Sequence, residues 1–253
     1  MIIIKTPEEI AKLREGGPVL ARILREVAAA VAPGVTTKML DDLAVALIAE
    51  AGHKAAFLGY KPEGARKPYP ASLITSVNAE VVHGIPGSYV LKEGDIIALD
   101  LGLNYHGVFL DHAVSVGVGA ISAKDKELLA VTKSALDEGI AAITPGGHVG
   151  DIGYAIESYA KPYKLGIIRD LSGHGVGRHI HEDPYVPNYG KKGKGEKLVP
   201  GMVIAIEPMF TRGTDQVYTL ADGYTIKTTD NSRSAHFEHT VLITEEGAEV
   251  LTV

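Results

Sequence analysis

An ordered internal repeat constrains this chain more than any other feature. Ala29-Ala30-Val31-Ala32-Pro33-Gly34 returns as Ala141-Ala142-Ile143-Thr144-Pro145-Gly146, and His83-Gly84-Ile85 returns as His174-Gly175-Val176. The run Gly94–Asp100 returns as Gly201–Glu207, and Asp111-His112-Ala113-Val114 as Glu238-His239-Thr240-Val241. The offsets are 112, 91, 107 and 127 residues, and both series keep the same order. A single short match could arise by chance, but four in order, with offsets absorbed by loop insertions, mark a duplicated unit. Duplication implies an approximate twofold axis. Each half then supplies two carboxylates and one histidine placed before a glycine, and folding brings four acids together.

Local signals fit two such halves. Thr6-Pro7-Glu8-Glu9 reads as a helix start: Thr6 caps, Pro7 suits the first helical position, and Glu9 completes a capping box. Ile10, Leu13, Leu20, Ile23, Leu24, Val27 and Val31 follow at helical spacing up to Pro33-Gly34. A second helix carries Leu40, Leu43, Ala44, Leu47 and Ile48 and ends at Gly52. Ser122 caps a third helix, with Leu128, Leu129, Leu136 and Ile140, that stops before Pro145-Gly146-Gly147. Ile152, Ala155, Ile156 and Tyr159 predict a fourth. Asp95–Asp100, Met202–Glu207 and Thr240–Ile243 have strand character, so Asp100 and Glu207 are expected at strand ends. The Lys191–Lys197 stretch reads as a solvated loop.

Composition narrows the function classes. The chain has 253 residues, 45% hydrophobic and 22% charged, as in an ordinary globular protein. A net charge of −6 speaks against a globally basic nucleic-acid binder. With no cysteine there are no disulfides, zinc ribbons or thiol nucleophiles, so any metal has to be held by histidine and carboxylate. Met1-Ile2-Ile3-Ile4-Lys5 is too short for the roughly 7–15-residue apolar core of a signal peptide. No apolar run approaches the ~20 residues of a spanning helix, so a cytoplasmic protein without a membrane partner is expected.

Asp100, Asp111, Glu207 and Glu238 cannot gather in an ionised state without compensation, because like charges in a poorly solvated site force protonation. Two divalent cations neutralise the four, and His174 adds a neutral nitrogen. Such a donor set suits Mn²⁺, Fe²⁺, Co²⁺ or Zn²⁺. His83, His174 and His181 stand out because Gly-rich turns surround them. His112 and His239, beside acids, are expected on the opposite strand face or in support of the acids. His53, His106, His148 and His236 read as structural or exposed.

Taken together, His83-Gly84-Ile85-Pro86, Asp100 with Asp111 eleven residues on, Gly173–Arg178, His181-Glu182-Asp183-Pro184, Ile206-Glu207-Pro208 and Phe237-Glu238-His239-Thr240 resemble the type I methionine aminopeptidases. The likeness runs from the first helix to Leu251. It implies an α+β pita-bread fold, with two pseudosymmetric α/β halves around a curved antiparallel sheet. One catalytic domain over residues 1–253 is expected, with halves of approximately 1–120 and 121–253. The resemblance makes Asp100, Asp111, His174, Glu207 and Glu238 ligands of two divalent ions, with Asp111 and Glu238 bridging them. His174 and Glu207 complete one site and Asp100 the other. His83 contacts the scissile amide or leaving group, His181 stabilises the tetrahedral intermediate, and Glu207 shuttles the proton as a metal-bridging hydroxide attacks. The implied reaction is removal of the initiator methionine from nascent polypeptides when the second residue is small. The implied protein is a monomer, with the ribosome as a further expected partner through its own surface.

The same resemblance places Tyr60, Tyr69, Ile74, Ile180 and Tyr224 around the methionine side chain, with Phe57 adjacent. Phe57 and Ile74 stand where the better-known bacterial members often carry cysteine, and Lys61–Pro68 is longer than usual. The 26 residues from His181 to Glu207 leave no room for the helical insertion of type II enzymes. Two other readings are an Xaa-Pro peptidase of the same fold, which usually carries an additional N-terminal domain, and a non-catalytic binding module, which would have lost ligands.

Overall fold

The structure is a computed structural model that describes residues 2–253. Four α-helices pack against a nine-stranded sheet: α1 (Pro7–Ala29), α2 (Thr37–Glu50), α3 (Ala123–Ala141) and α4 (Val149–Ala160). The α1 capping box is made, since Thr6 Oγ1 accepts from Glu9 N and the Glu9 carboxylate accepts from Thr6 N. Ser122 caps α3 through the Asp125 amide. Each of these caps satisfies amides that the first helical turn cannot pair internally.

Seven strands lie in the order Lys54–Ala55, Ile96–Tyr105, Val108–Gly117, Glu238–Ile243, Val203–Ile206, Ser172–Gly175 and Glu182–Pro187. Leu73–Val77 pairs beside Ile96–Tyr105, and Ala248–Val250 beside Glu238–Ile243. All the pairings are antiparallel. The order mirrors itself about the boundary between Val108–Gly117 and Glu238–Ile243, the two strands that carry the fourth repeat. There Glu238 faces Ala113 and His239 faces His112. The repeat is therefore expressed as the pita-bread arrangement, with the axis between the two central strands.

Each half has its own apolar core. Leu13, Leu20, Ile23, Leu24 and Val27 of α1 are fully buried, in a cluster with Leu40, Leu99 and Leu101. Leu128, Leu136, Ile152 and Ile156 of α3 and α4 do the same over Ile204, Ile206 and Val241. Burying one such side chain contributes about 1.5–3 kcal/mol, so the helices clamp the sheet from outside and leave its other face for the site.

The first long strand differs from its sequence expectation. It continues to Tyr105, turns at His106-Gly107 and pairs along its whole length with Val108–Gly117. Asp100 consequently lies in mid-strand, whereas Glu207 follows directly after its strand. The polar run Asn104-Tyr105-His106-Gly107 hides the hairpin, whose length is set by its partner strand.

Candidate active site

Strand register alone puts five residues on one face. Asp100 is opposite Ala113, and Ala113 is opposite Glu238. Asp111 lies two residues before Ala113 and so shares its face. Ala205 is opposite both Thr240 and His174, and Glu207 lies two residues beyond it. Asp100, Asp111, His174, Glu207 and Glu238 therefore project to the same side. The intervening Ala113 and Ala205 are small and leave room above the sheet.

The side chains meet. His174 Nε2 is 3.5 Å from Glu207 Oε1 and 3.9 Å from Asp111 Oδ2. One ligating atom each from Asp111, His174 and Glu238 lies within 4.8 Å of the others. The Nδ1 of His174 is 2.9 Å from Gly175 O, so Nδ1–H donates there and Nε2 keeps its lone pair toward the acids. Burial, mainly, raises Asp100 to about 7, with Glu207 adding repulsion. Burial and the neighbouring carboxylates hold Asp111 and Glu238 well above the ordinary carboxylate range. Burial holds His174 down at about 4.

This is a site short of positive charge. Asp100 Oδ1 and Glu238 Oε1 are buried with no hydrogen-bond partner. Stranded carboxylate oxygens cost free energy unless a cation or proton meets them. Four carboxylates and one neutral imidazole are a suitable donor set for divalent metal, and the cluster fits the group that its chemistry implies.

A cleft of about 600 Å³ opens over the cluster. Tyr60, Tyr69, Ile74 and Tyr224 are on its wall together with Phe57, which sits beside Gly102. Ile180 is buried, and its Cδ1 and the Phe57 ring both pack against Gly102. The Lys61–Pro68 segment contributes Pro62 and Glu63 to the cleft lining and is tied down where the Tyr224 hydroxyl donates to Lys67 O.

His83 and His181 both line the cleft. His83 has a φ of 60°, a left-handed conformation uncommon for a residue with a Cβ. Gly84 follows it because a Cβ there would lie 2.1 Å from Thr75 O. His181 Nδ1 is 2.9 Å from the Tyr60 hydroxyl, and its ring centroid is 4.4 Å from that of His174.

One histidine needs correction. His236, read as structural or exposed, is 2% exposed and faces the cluster, with Nε2 3.4 Å from Glu207 Oε2 and 4.0 Å from Glu238 Oε2. Neither of its ring nitrogens has a hydrogen-bond partner. The available signal was parity, because His236 stands two residues before Glu238. His53 and His106 sit together with Tyr105, away from the cleft.

Comparison with known proteins agrees with this geometry. Residues 11–245 match metallopeptidase family M24. The chain is 44% identical to methionine aminopeptidase 1 of Bacillus subtilis over 252 residues, covering 100% of this chain and 99% of that protein. A crystal structure of methionine aminopeptidase from Thermotoga maritima superposes with a TM-score of 0.95 at 45% identity, covering 100% of this chain and 99% of the other. The prolidase of Pyrococcus furiosus is more distant, with a TM-score of 0.76 and 25% identity, and this chain spans only 65% of it. From its register-built acid cluster, its fold and these full-length matches, the chain belongs to the methionine aminopeptidases of metallopeptidase family M24.

Proposed function

We propose that this chain removes the initiator methionine from nascent polypeptides whose second residue is small, and that residues 1–253 act as one catalytic domain. One observation carries the proposal: four carboxylates and a neutral imidazole share one sheet face at the floor of a cleft walled by apolar and tyrosine side chains. Asp100, Asp111, His174, Glu207 and Glu238 would hold two divalent ions. When bound, such ions supply Lewis acidity and a water that is nucleophilic at neutral pH.

The remaining chemistry falls to side chains. The Tyr60 hydroxyl lies 2.9 Å from His181 Nδ1; with the hydroxyl as donor in that contact, the ring's proton sits on Nε2 and is available to the oxyanion that develops on the scissile carbonyl. His83, fixed by the strained turn before Gly84, contacts the scissile amide. Glu207 takes the proton of the attacking water and returns it to the leaving amine. Ile74, Phe57 and the tyrosines shed water around an unbranched thioether, which suits methionine.

The test is turnover of Met-Ala-Ser against Xaa-Pro peptides by metal-reconstituted protein, with chelated protein as control. The proposal requires metal-dependent release of methionine. Preference for the Xaa-Pro series favours the prolidase-type reading, and no turnover with any metal favours a binding module.

A further inference from the structure

The N-terminal segment reaches the active-site cleft, where Ile3 lines the wall. Two residues on, Lys5 is buried, and its Nζ lies 2.6 Å from Glu182 Oε2 and 3.1 Å from Ile3 O. The side chains of Lys5 and Glu182 are each 1% exposed, so this ion pair is dry on both sides. The cradle is made for the lysine stem: Gly177 has a φ of +140°, and a Cβ there would lie 2.2 Å from Lys5 Cε. The main chain of Lys5 is tied as well, its N–H donating to Gly201 O.

The other oxygen of Glu182 does separate work. Oε1 accepts from Arg178 N at 2.6 Å and from His179 N at 2.8 Å. One carboxylate therefore closes the turn from Arg178 to Glu182, and His181 is the residue immediately before that carboxylate. Outside the turn, Arg178 pairs with Glu9 in the first turn of α1. A carboxylate caps two backbone amides well only when its remaining lone pairs are satisfied. Here, away from water, the Lys5 ammonium satisfies them. Burial pulls the Lys5 amine down from its ordinary range while Glu182 opposes this, as expected for a dehydrated pair.

We infer that Lys5 is a positioning residue for the reaction: its ammonium fixes the Glu182 carboxylate, the carboxylate fixes the 178–182 turn, and the turn sets His181 at the cleft. The inference rests on the role proposed for His181. It makes the segment Ile3–Lys5 part of the active-site scaffold, although Lys5 lines neither the cleft nor the acid cluster. Mispositioning by about 1 Å is enough to cost on the order of 10²-fold in rate.

The experiment combines Lys5→Met, Glu182→Gln and the double variant, each alone and with His181→Ala, assayed on Met-Ala-Ser with Mn²⁺. Lys5→Met should lower kcat by about 10- to 100-fold with KM within about twofold, because His181 acts on the transition state. In the His181→Ala background it should change kcat by less than about twofold. The double variant leaves no unpaired charge and keeps an amide oxygen for the two N–H groups, so it should recover much of the loss and serves if Lys5→Met fails to fold. Amide exchange at Arg178 and His179, which needs no turnover, should quicken in Lys5→Met by about 10-fold or more. Unchanged exchange there, or a kcat loss that is undiminished without His181, overturns the inference. Inactivity of the unsubstituted protein would count against the proposed reaction alone, since the exchange measurement still decides the role of Lys5.

Discussion

His112 and His239 face one another across the two central strands, with ring centroids 4.7 Å apart and planes within 14°. They are counterparts in the repeat, each following a site acid, and the pseudo-twofold axis passes between them. Alternation along each strand sends Asp111 and Glu238 to the cleft and these two rings to the opposite, helix-covered face. His112 Nδ1 is bonded to Glu238 O, and His239 Nδ1 to the Thr252 hydroxyl.

Acid should unfold the protein partly through this pair. Burial holds His112 at about 3 and His239 at about 4, against an ordinary value of 6.5. Both are bases with depressed folded-state values, so the unfolded chain takes up their protons first as pH falls below 6.5. Their contribution is present above that pH and is lost as pH falls toward about 3 for His112 and about 4 for His239, on the order of 5 and 3 kcal/mol respectively. The raised site carboxylates act in the opposite sense, so the comparison has to be with a variant. Urea unfolding of metal-free protein at pH 7.5 and 5 should show a smaller pH dependence in His112→Gln/His239→Gln than in the parent. Equal slopes would contradict this.

Metal binding should release protons. In metal-free protein Asp100 titrates at about 7, and Asp111 and Glu238 lie well above the ordinary range, whereas ligands bind deprotonated. Affinity for Mn²⁺ is therefore expected to rise with pH through the neutral range. Calorimetry at pH 6.5 in buffers of different ionisation enthalpy measures the release directly. A heat independent of buffer would rule it out.

Two substitutions near the cleft separate positioning from bulk. Gly84→Ala places a methyl 2.1 Å from Thr75 O and must displace His83, so kcat/KM should fall by about 10²-fold or more. His236→Leu removes the ring beside Glu207 Oε2 and should lower kcat about tenfold, with the fold retained by circular dichroism. Wild-type kinetics in either variant would show that these contacts do not shape the reaction.

His83 lines the same cleft as the acid cluster, so a peptide cleaved above that cluster should have to carry a small residue after methionine. Met-Ala peptides are expected to turn over far faster than Met-Leu peptides. Comparable kcat/KM for both would place the restriction elsewhere.

Much of this was legible in the sequence because duplication, caps and strand alternation are local signals. The Thr6 and Ser122 caps, the four helices and the axis between Asp111-His112 and Glu238-His239 needed no tertiary information. What escaped depended on partners. Asp100 was expected at a strand end because the polar hairpin tip conceals five more paired residues. The position of His236 is not legible because a lone histidine carries no burial signal until its strand is seen to share the face of Glu238. Lys5 and Glu182 stand 177 residues apart, and nothing local joins them.

Anomalous diffraction from crystals soaked in Mn²⁺ would test the metal centre most directly. Two peaks about 3.5–4 Å apart, within bonding reach of Asp100, Asp111, His174, Glu207 and Glu238, are expected. Crystals with no peak between Asp100 and Glu238 would contradict it.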